Sequence, residues 1–181
     1  MEGYPDEINP QQEVEKERIL WKGKPSQVVN YDRFARYCTC FLFLIPLHLF
    51  WSDFVPADSP LNMAKTLATI ALIVLPIVMI IKDYLTISTT SYDVTTQRFI
   101  HNYGIFSRVS EETELFRVKD ISSTQPFFMR IFGYGNIILQ TSDLSNPVSV
   151  IMGINNTPKL QNLLRKQVDH MRTIKQVREF D

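Results

Sequence analysis

The hydrophobic pattern separates a long apolar stretch from a region of short alternating runs. Residues 34–54 and 61–81 form two apolar runs of about twenty residues each, the length that a helix needs to cross a bilayer. The first run is uncharged over most of its length, and Lys65 is the only charge in the second. Because soluble core helices rarely exclude charge from every face, residues 34–82 are predicted to form a transmembrane helical hairpin.

The charges that flank the two runs predict the orientation of this hairpin. The connecting segment 52–60 carries two carboxylates and two prolines, which is typical of a polar turn. Cations cluster instead at the outer ends of the runs, at Lys22, Lys24, Arg33, Arg36 and Lys82. By the positive-inside rule, both termini are expected in the cytoplasm.

The residues before the hairpin form two segments of different composition. Residues 1–17 are acidic and polar, so we expect them to be disordered, and they do not form a signal peptide. Residues 18–33 contain a short apolar burst before a Gly/Pro turn, which favours a strand. A strand this short does not fold alone, so we expect it to pack on the domain formed by residues 83–178.

Residues 83–178 begin with runs typical of strands. They are rich in Thr, Ile and Tyr, which favour pleated surfaces. The predicted strands cover 84–94, 98–103, 107–115, 116–122, 136–141 and 148–152. In the last of these, Val148, Val150 and Met152 alternate onto one face.

The period then changes from two to 3.6. Thr157 and Pro158 are typical of an N-cap and the first helical position, and they predict a helix at 158–178. An apolar stripe follows at Leu160, Leu163, Leu164, Val168, Met171, Ile174 and Val177. The stripe is expected to cover the open end of an antiparallel sheet, and docking on a membrane surface is the alternative.

Composition and the lack of known motifs argue against several classes of function. The 19 basic and 19 acidic residues balance, so nothing favours a nucleic-acid partner. Cys38 and Cys40 lie two positions apart on a helix and point away from each other, which disfavours a disulfide or a shared metal. The three histidines have no ligand partners at metal spacing, and the sequence lacks a nucleophile elbow and a phosphate loop. We therefore expect no enzymatic activity, cofactor or metal.

His48 is the one ionisable group deep in the first apolar run. Such a group is a functional candidate by default. The simpler interpretation is a neutral imidazole with one hydrogen bond between helices, to a carbonyl that Pro46 frees. Pro76 is expected to kink the second helix.

Several segments together resemble the bacterial pleckstrin-homology (PH) family, formerly called the domain of unknown function 304. They are 19–26, 92–100, 104–108, 115–121 and 125–137, and their order and spacing carry the resemblance. It covers about residues 17–170 and implies a membrane α+β protein. A two-helix hairpin would carry a cytoplasmic PH-like split barrel of about seven antiparallel strands, capped by a C-terminal helix, at a bacterial inner membrane. The carboxylates Glu111, Glu112 and Glu114 depart from the family pattern.

Five cations are candidate lipid-binding or partner-binding residues. They are Arg98, Arg108, Arg117, Lys119 and Arg130. Eukaryotic PH domains hold phosphoinositides with such residues, but bacteria generally lack these lipids, so the analogy does not assign a ligand. Pairing with carboxylates on the sheet surface is the structural alternative.

Two functions follow from these expectations. The leading hypothesis is a non-enzymatic, membrane-anchored interaction module that acts as an adaptor or subunit of a membrane protein assembly. Exposed sheet edges would bind another protein or a second copy of the chain by strand addition. The alternative is recognition of anionic phospholipid headgroups by the cationic strand face.

Overall fold

The computed structural model describes residues 17–52 and 61–175. The predictions for residues 1–16, for the turn at 53–60 and for the end of the last helix lie outside the described residues. The elements, in chain order, are β1 (Ile19–Gly23), α1 (Tyr31–Ser52), α2 (Leu61–Thr89), β2 (Ser91–Thr95), β3 (Arg98–Tyr103), β4 (Val109–Glu114), β5 (Val118–Thr124), α3 (Phe127–Ile131), β6 (Tyr134–Thr141), β7 (Val148–Asn155) and α4 (Thr157–Lys175).

The seven strands form two antiparallel sheets. The first has the order β1-β2-β3-β4 and the second the order β5-β6-β7. Their inner faces enclose a core that includes Tyr92, Val94, Phe99, Leu115, Val118, Ile137, Leu139 and Ile151, all essentially buried. Helix α4 adds Leu160, Leu164, Val168 and Met171 to this core, so most of its predicted apolar stripe covers the sheets as expected. Ile174, near the end of the helix, is exposed instead, and Val177 lies outside the described residues. Two antiparallel sheets with a C-terminal helix fit the PH-like fold that the resemblance implied.

Both apolar helices lie between the first two strands in sequence. Strand β1 pairs antiparallel with β2, with Lys22 opposite Asp93 and Gly23 opposite Tyr92, although α1 and α2 separate them along the chain. Trp21 of β1 packs against the core. Because the two strands are neighbours, α1 must leave and α2 must return at the same end of the sheets. We call this the helix end and the opposite end the distal end.

Chain connectivity assigns the other connections to these two ends. The β3–β4 loop, α3 and the start of α4 lie at the helix end. The β2–β3, β4–β5 and β6–β7 connections lie at the distal end. At the helix end, the amide of Ser26 donates to the carbonyl of Gly153 in β7 over 3.0 Å, which ties the second sheet to the segment that enters α1.

A buried carboxylate joins the two helices at the helix end. Asp83 of α2 is only 6% exposed. One carboxylate oxygen accepts a hydrogen bond from Arg33 (3.0 Å) and the other accepts one from the Tyr37 hydroxyl (2.9 Å). The Asn30 amide donates to the main-chain carbonyl of Asp83 (2.9 Å). Every acceptor of this buried acid thus has a donor on the segment around α1, as a buried charge requires.

Helix α2 is longer than predicted, because residues 84–89 are helical rather than part of a strand. The β propensity of this threonine-rich segment was misleading. The hydroxyls of Thr86, Thr89 and Thr90 donate to carbonyls four residues earlier and so are satisfied within the helix. Gln27 also donates to the carbonyl of Tyr84 (3.1 Å), which fixes this turn against the chain before α1. Tertiary hydrogen bonds therefore decide the conformation of this segment.

Other boundaries also differ from the predictions. Helix α1 begins at Tyr31 instead of residue 34, and a 3₁₀ turn at Leu115–Arg117 delays β5 until Val118. Thr157 is not the N-cap, because α4 already includes it. The carbonyl of Asn156, which has a φ of 56°, accepts the first bond of the helix from the amide of Leu160.

The alternation in β7 was predicted correctly, but its two faces have opposite roles from the obvious assignment. Val148 is exposed and Val150 and Met152 are half-buried, whereas Ile151 on the other face is fully buried. The core therefore takes the side chain of Ile151, which lies between Val150 and Met152 in the sequence. A sequence pattern gives the period but does not identify which face meets the second sheet.

We expect Asp83→Ala to loosen the contact between α1 and α2 at the helix end. The substitution removes two hydrogen bonds to a charged group and leaves the Tyr37 hydroxyl and the Arg33 guanidinium without this partner, at a cost of about 2 kcal/mol. Thermal unfolding of the full-length protein in detergent measures this loss. Asp32→Ala, at an exposed position of α1, is the matched control. An equal melting temperature for the two variants would contradict the assigned role of Asp83.

Candidate functional site at the helix end

The helix end contains a cavity of about 510 Å³ on the outer side of the first sheet. The ends of β1 and α2, the strands β2 and β3, and the β3–β4 loop form its walls. Its lining is mostly polar and consists of Lys22, Lys24, Ser88, Thr89, Ser91, Asp93, Asn102, Tyr103, Gly104, Ile105 and Arg108. Only one residue separates α2 from β2, and this junction supplies Ser88, Thr89 and Ser91 to the lining.

Three cations and one carboxylate set the charge of this cavity. Lys22 Nζ lies 3.5 Å from Asp93 Oδ1 across the β1–β2 pair. That contact is an ion pair without a hydrogen bond, since Asp93 Oδ1 is buried and accepts none from the described residues. Within residues 17–52 and 61–175, Lys24 and Arg108 have no ion-pair partner. The cavity therefore has a positive excess and an acceptor that lacks a donor.

The β3–β4 loop depends on a glycine. Gly104 has a φ of +118°, and a Cβ at this position would clash with the main-chain oxygen of Ser107. Only glycine lets the chain fold back here at low cost. The resulting loop brings Arg108 to the cavity and leaves the Phe106 side chain fully exposed.

Helix α3 forms a second feature of the helix end. Four large apolar side chains on it and on the residue after it are 40–72% exposed, namely Phe127, Phe128, Ile131 and Phe132. We call these four residues the α3 surface. Met129 of the same helix is buried and fixes the helix to the domain. The Phe128 ring packs 4.2 Å from the ring of Tyr31, the first residue of α1.

Three of the five cations predicted from sequence lie toward the distal end. Arg98 forms ion pairs with Glu112 and with Glu17, the latter at 3.1 Å. The hydrogen bond to Glu112 and the charge of Glu17 raise the pKa of Arg98. Pairing with carboxylates, the structural alternative, thus describes Arg98.

Arg117 is held in the same way. Its guanidinium lies 2.8 Å from Glu114 and 3.5 Å from Asp143. Lys119 is exposed on the neighbouring strand β5. These residues are separated from the helix end by the length of the strands.

The other two predicted cations lie at the helix end. Arg108 lines the cavity, and Arg130 is exposed on α3. The sequence analysis missed Lys22, Lys24 and Asp93 as members of a site. The two lysines did stand out as flanking charges, but their proximity to Arg108 arises only from the β1–β2 pairing.

An aromatic ladder follows the inner face of the first sheet to the helix end. His101 stacks on Tyr92 at a ring distance of 4.9 Å and lies 4.8 Å from the Tyr103 ring. Burial lowers the pKa of His101, and the nearby Glu111 carboxylate only partly offsets this effect. Tyr103 donates a hydrogen bond to Glu111 over 2.6 Å, which raises the pKa of Tyr103. The partly buried environment of His101 therefore favours its neutral form.

His48 has a structural partner on the opposite helix. Its Nδ1 lies 2.9 Å from the hydroxyl of Thr69 in α2, and that hydroxyl donates to the carbonyl of Lys65. The hydrogen bond between helices was expected, but its partner is a hydroxyl rather than a carbonyl freed by Pro46.

Comparison with known proteins identifies one family. The family model described as Bacterial PH domain matches residues 41–168, from within α1 into α4. No curated protein and no solved structure matches the chain. Within the residues that the structure describes, no group of three or more His, Cys, Asp or Glu side chains could hold a metal ion.

We expect stability to fall as the pH drops below about 6.5, the pKa of histidine in an unfolded chain. Burial lowers the folded-state pKa of His101, so the unfolded state binds the proton more readily and stability is lost as the pH falls. Chemical denaturation between pH 8 and 5 measures the slope. His101→Phe keeps a stacking ring and should reduce the slope; an unchanged slope would assign it to other groups.

Proposed function

The chain belongs to the bacterial PH domain family, and on this premise we propose that it is a non-enzymatic, membrane-anchored interaction module. It acts as an adaptor or subunit of a membrane protein assembly, on the cytoplasmic face of a bacterial inner membrane. PH-like domains are generally binding modules for proteins or lipids rather than enzymes.

The observation that carries this proposal is the insertion of two exposed apolar helices between β1 and β2. Both helices are long and apolar enough to cross a bilayer, and the apolar stretch of each is not buried against the sheets. Apolar surface of this extent is not stable in water and needs a cover. A bilayer supplies that cover over the whole length of both helices.

The distribution of charge supports a cytoplasmic position for the sheets. Lys22, Lys24, Arg33, Lys82 and Arg108 all belong to segments at the helix end. Cations at the ends of membrane helices favour the cytoplasmic side. The PH-like domain then lies directly beneath the inner leaflet, with its distal end toward the cytoplasm.

Sheet edges offer a place for a protein partner. Strand β1 is an edge of the first sheet, and its Ile19 and Leu20 side chains are 61% and 40% exposed. The opposite edge, β4, carries Glu111, Glu112 and Glu114, and such charges discourage unselective strand pairing. An added strand on β1 would therefore meet an apolar surface, and a basic segment would fit β4.

Photocrosslinking in cells tests the interaction. A photoreactive amino acid replaces Leu20, Phe106, Glu112 or Phe128, one position at a time, in the full-length protein. We expect a discrete protein adduct from one edge and weak or no adducts from the other positions. An adduct with the same chain assigns self-association. If no position captures a protein and the purified protein is a monomer, the adaptor proposal is wrong.

Headgroup recognition is the second candidate function, and the cavity at the helix end favours it. Thr89 lies eight residues beyond Ile81, or about 12 Å along α2. The headgroup layer of one leaflet is about 6 Å deep. A ligand in the cavity would thus lie just beneath the headgroups, within reach of an anionic group that extends from the leaflet to Lys24 and Arg108.

The double substitution Lys24→Gln and Arg108→Gln tests this candidate. Each cation near a membrane surface contributes about 1 kcal/mol toward an anionic lipid, so the retention of phosphatidylglycerol should fall more than tenfold. Native mass spectrometry of the full-length protein in detergent measures retention against phosphatidylcholine. Arg98→Gln is the control, because Arg98 is ion-paired away from the cavity. Equal retention by both variants would exclude the cavity as the lipid site.

A further inference from the structure

The α3 surface is unusually apolar for an exposed segment. At about 100° per residue, Phe127, Phe128, Ile131 and Phe132 occupy one arc of about 140° on the short helix. Four neighbouring large apolar side chains on one arc mark a contact with something apolar. The Phe128 ring also contacts the ring of Tyr31 in α1, with the ring planes tilted by 33°.

We propose that the α3 surface lies in the headgroup layer of the cytoplasmic leaflet and forms a third attachment of the PH-like domain to the bilayer. This inference rests on the proposed membrane anchoring. The inference adds that the PH-like domain contacts the membrane directly, in addition to its connection through the two helices. The domain is held at a fixed tilt, with α3 against the membrane.

The depth of α3 supports this position. Phe128 contacts Tyr31, which lies three residues before the predicted start of the first apolar run at residue 34. Three helical residues correspond to about 5 Å, and the headgroup layer is about 6 Å deep. A ring in contact with Tyr31 therefore lies within that layer, where aromatic side chains are favoured.

The α3 surface is also rigid, as an interfacial contact needs to be. Met129 is buried, and the amide of Arg130 donates to the carbonyl of Pro126 over 2.9 Å. The carbonyl of Arg130 in turn accepts from the amide of Gly133, whose φ of +74° ends the helix. The Arg130 side chain is exposed beside the apolar arc and can reach lipid phosphates from this position.

The polarity of the domain distinguishes the bilayer from a second copy of the chain as the occupant. The α3 surface shares the helix end with the two apolar helices, and a bilayer around those helices covers α3 without further protein. A large apolar side chain at the distal end provides the contrast, because Leu144 is 98% exposed but lies far from the helices. The proposal predicts opposite environments for these two sites.

Fluorescence quenching in lipid vesicles tests the proposal. The full-length protein, with Cys38→Ser and Cys40→Ser, receives a single labelled cysteine through Phe127→Cys, Leu144→Cys or Val74→Cys. The label at 127 should be quenched by a nitroxide on the lipid headgroup or upper acyl chain and be at least fivefold less accessible to aqueous iodide than the label at 144. The label at 74, in the middle of α2, should be quenched by a nitroxide deep in the acyl chain.

The outcomes separate the two proposals. If the label at 74 is not quenched by lipid, membrane anchoring itself is wrong. If it is quenched but the label at 127 is as accessible to iodide as the label at 144, only the third attachment is wrong. Protection at 127 that disappears when the protein is diluted in lipid would assign the α3 surface to a second copy and overturn the proposal. Ile131→Cys provides an independent label if Phe127→Cys does not fold.

Discussion

The pairing of β1 with β2 is the constraint on which the rest of the structure depends. These strands are hydrogen-bonded neighbours, yet the whole helix pair lies between them in the chain. The β1–β2 ladder can form only if the start of α1 and the end of α2 lie at the same end of the sheets, so that the two helices run antiparallel. Asp83 reinforces this closure, because its buried carboxylate accepts donors from the segment around α1. The first sheet and the helix pair therefore depend on each other, because the helices connect two strands that are neighbours in that sheet.

This closure gives the domain two chemically different ends. The helix end collects the exposed aromatic residues of α3 and a cavity with an excess of cations. At the distal end, Arg98 and Arg117 are neutralised by carboxylates within the domain. A chain with a net charge of zero thus has an asymmetric distribution of unpaired charge in space. Such an asymmetry suits a scaffold that presents one end to a charged, partly apolar surface and keeps the other soluble.

The candidate site shows why some functional residues escape analysis of a sequence. Both Arg98 and Arg108 belong to family-like segments, but Arg108 lines the cavity whereas Arg98 is held by ion pairs. Lys22, Lys24 and Asp93 join the site because a register between distant strands brings them to Arg108. Local patterns carry no information about such a register when a helix pair separates the strands. The α3 surface was hidden for a related reason, since apolar residues in a short segment are expected in a core.

Patterns in the sequence are enough to predict the seven strands, the two apolar helices, α4 and the family, but they do not predict α3. These properties depend on side chains that are close along the chain, such as the uncharged runs and the stripe on α4. Contacts between distant segments decided the conformation of residues 84–89, where Gln27 donates hydrogen bonds to the carbonyl of Tyr84 and to the hydroxyl of Ser88. They also decided which face of β7 is buried and which cations remain unpaired. Those properties depend on partners that are distant in sequence, and the free energies of such contacts exceed local propensities.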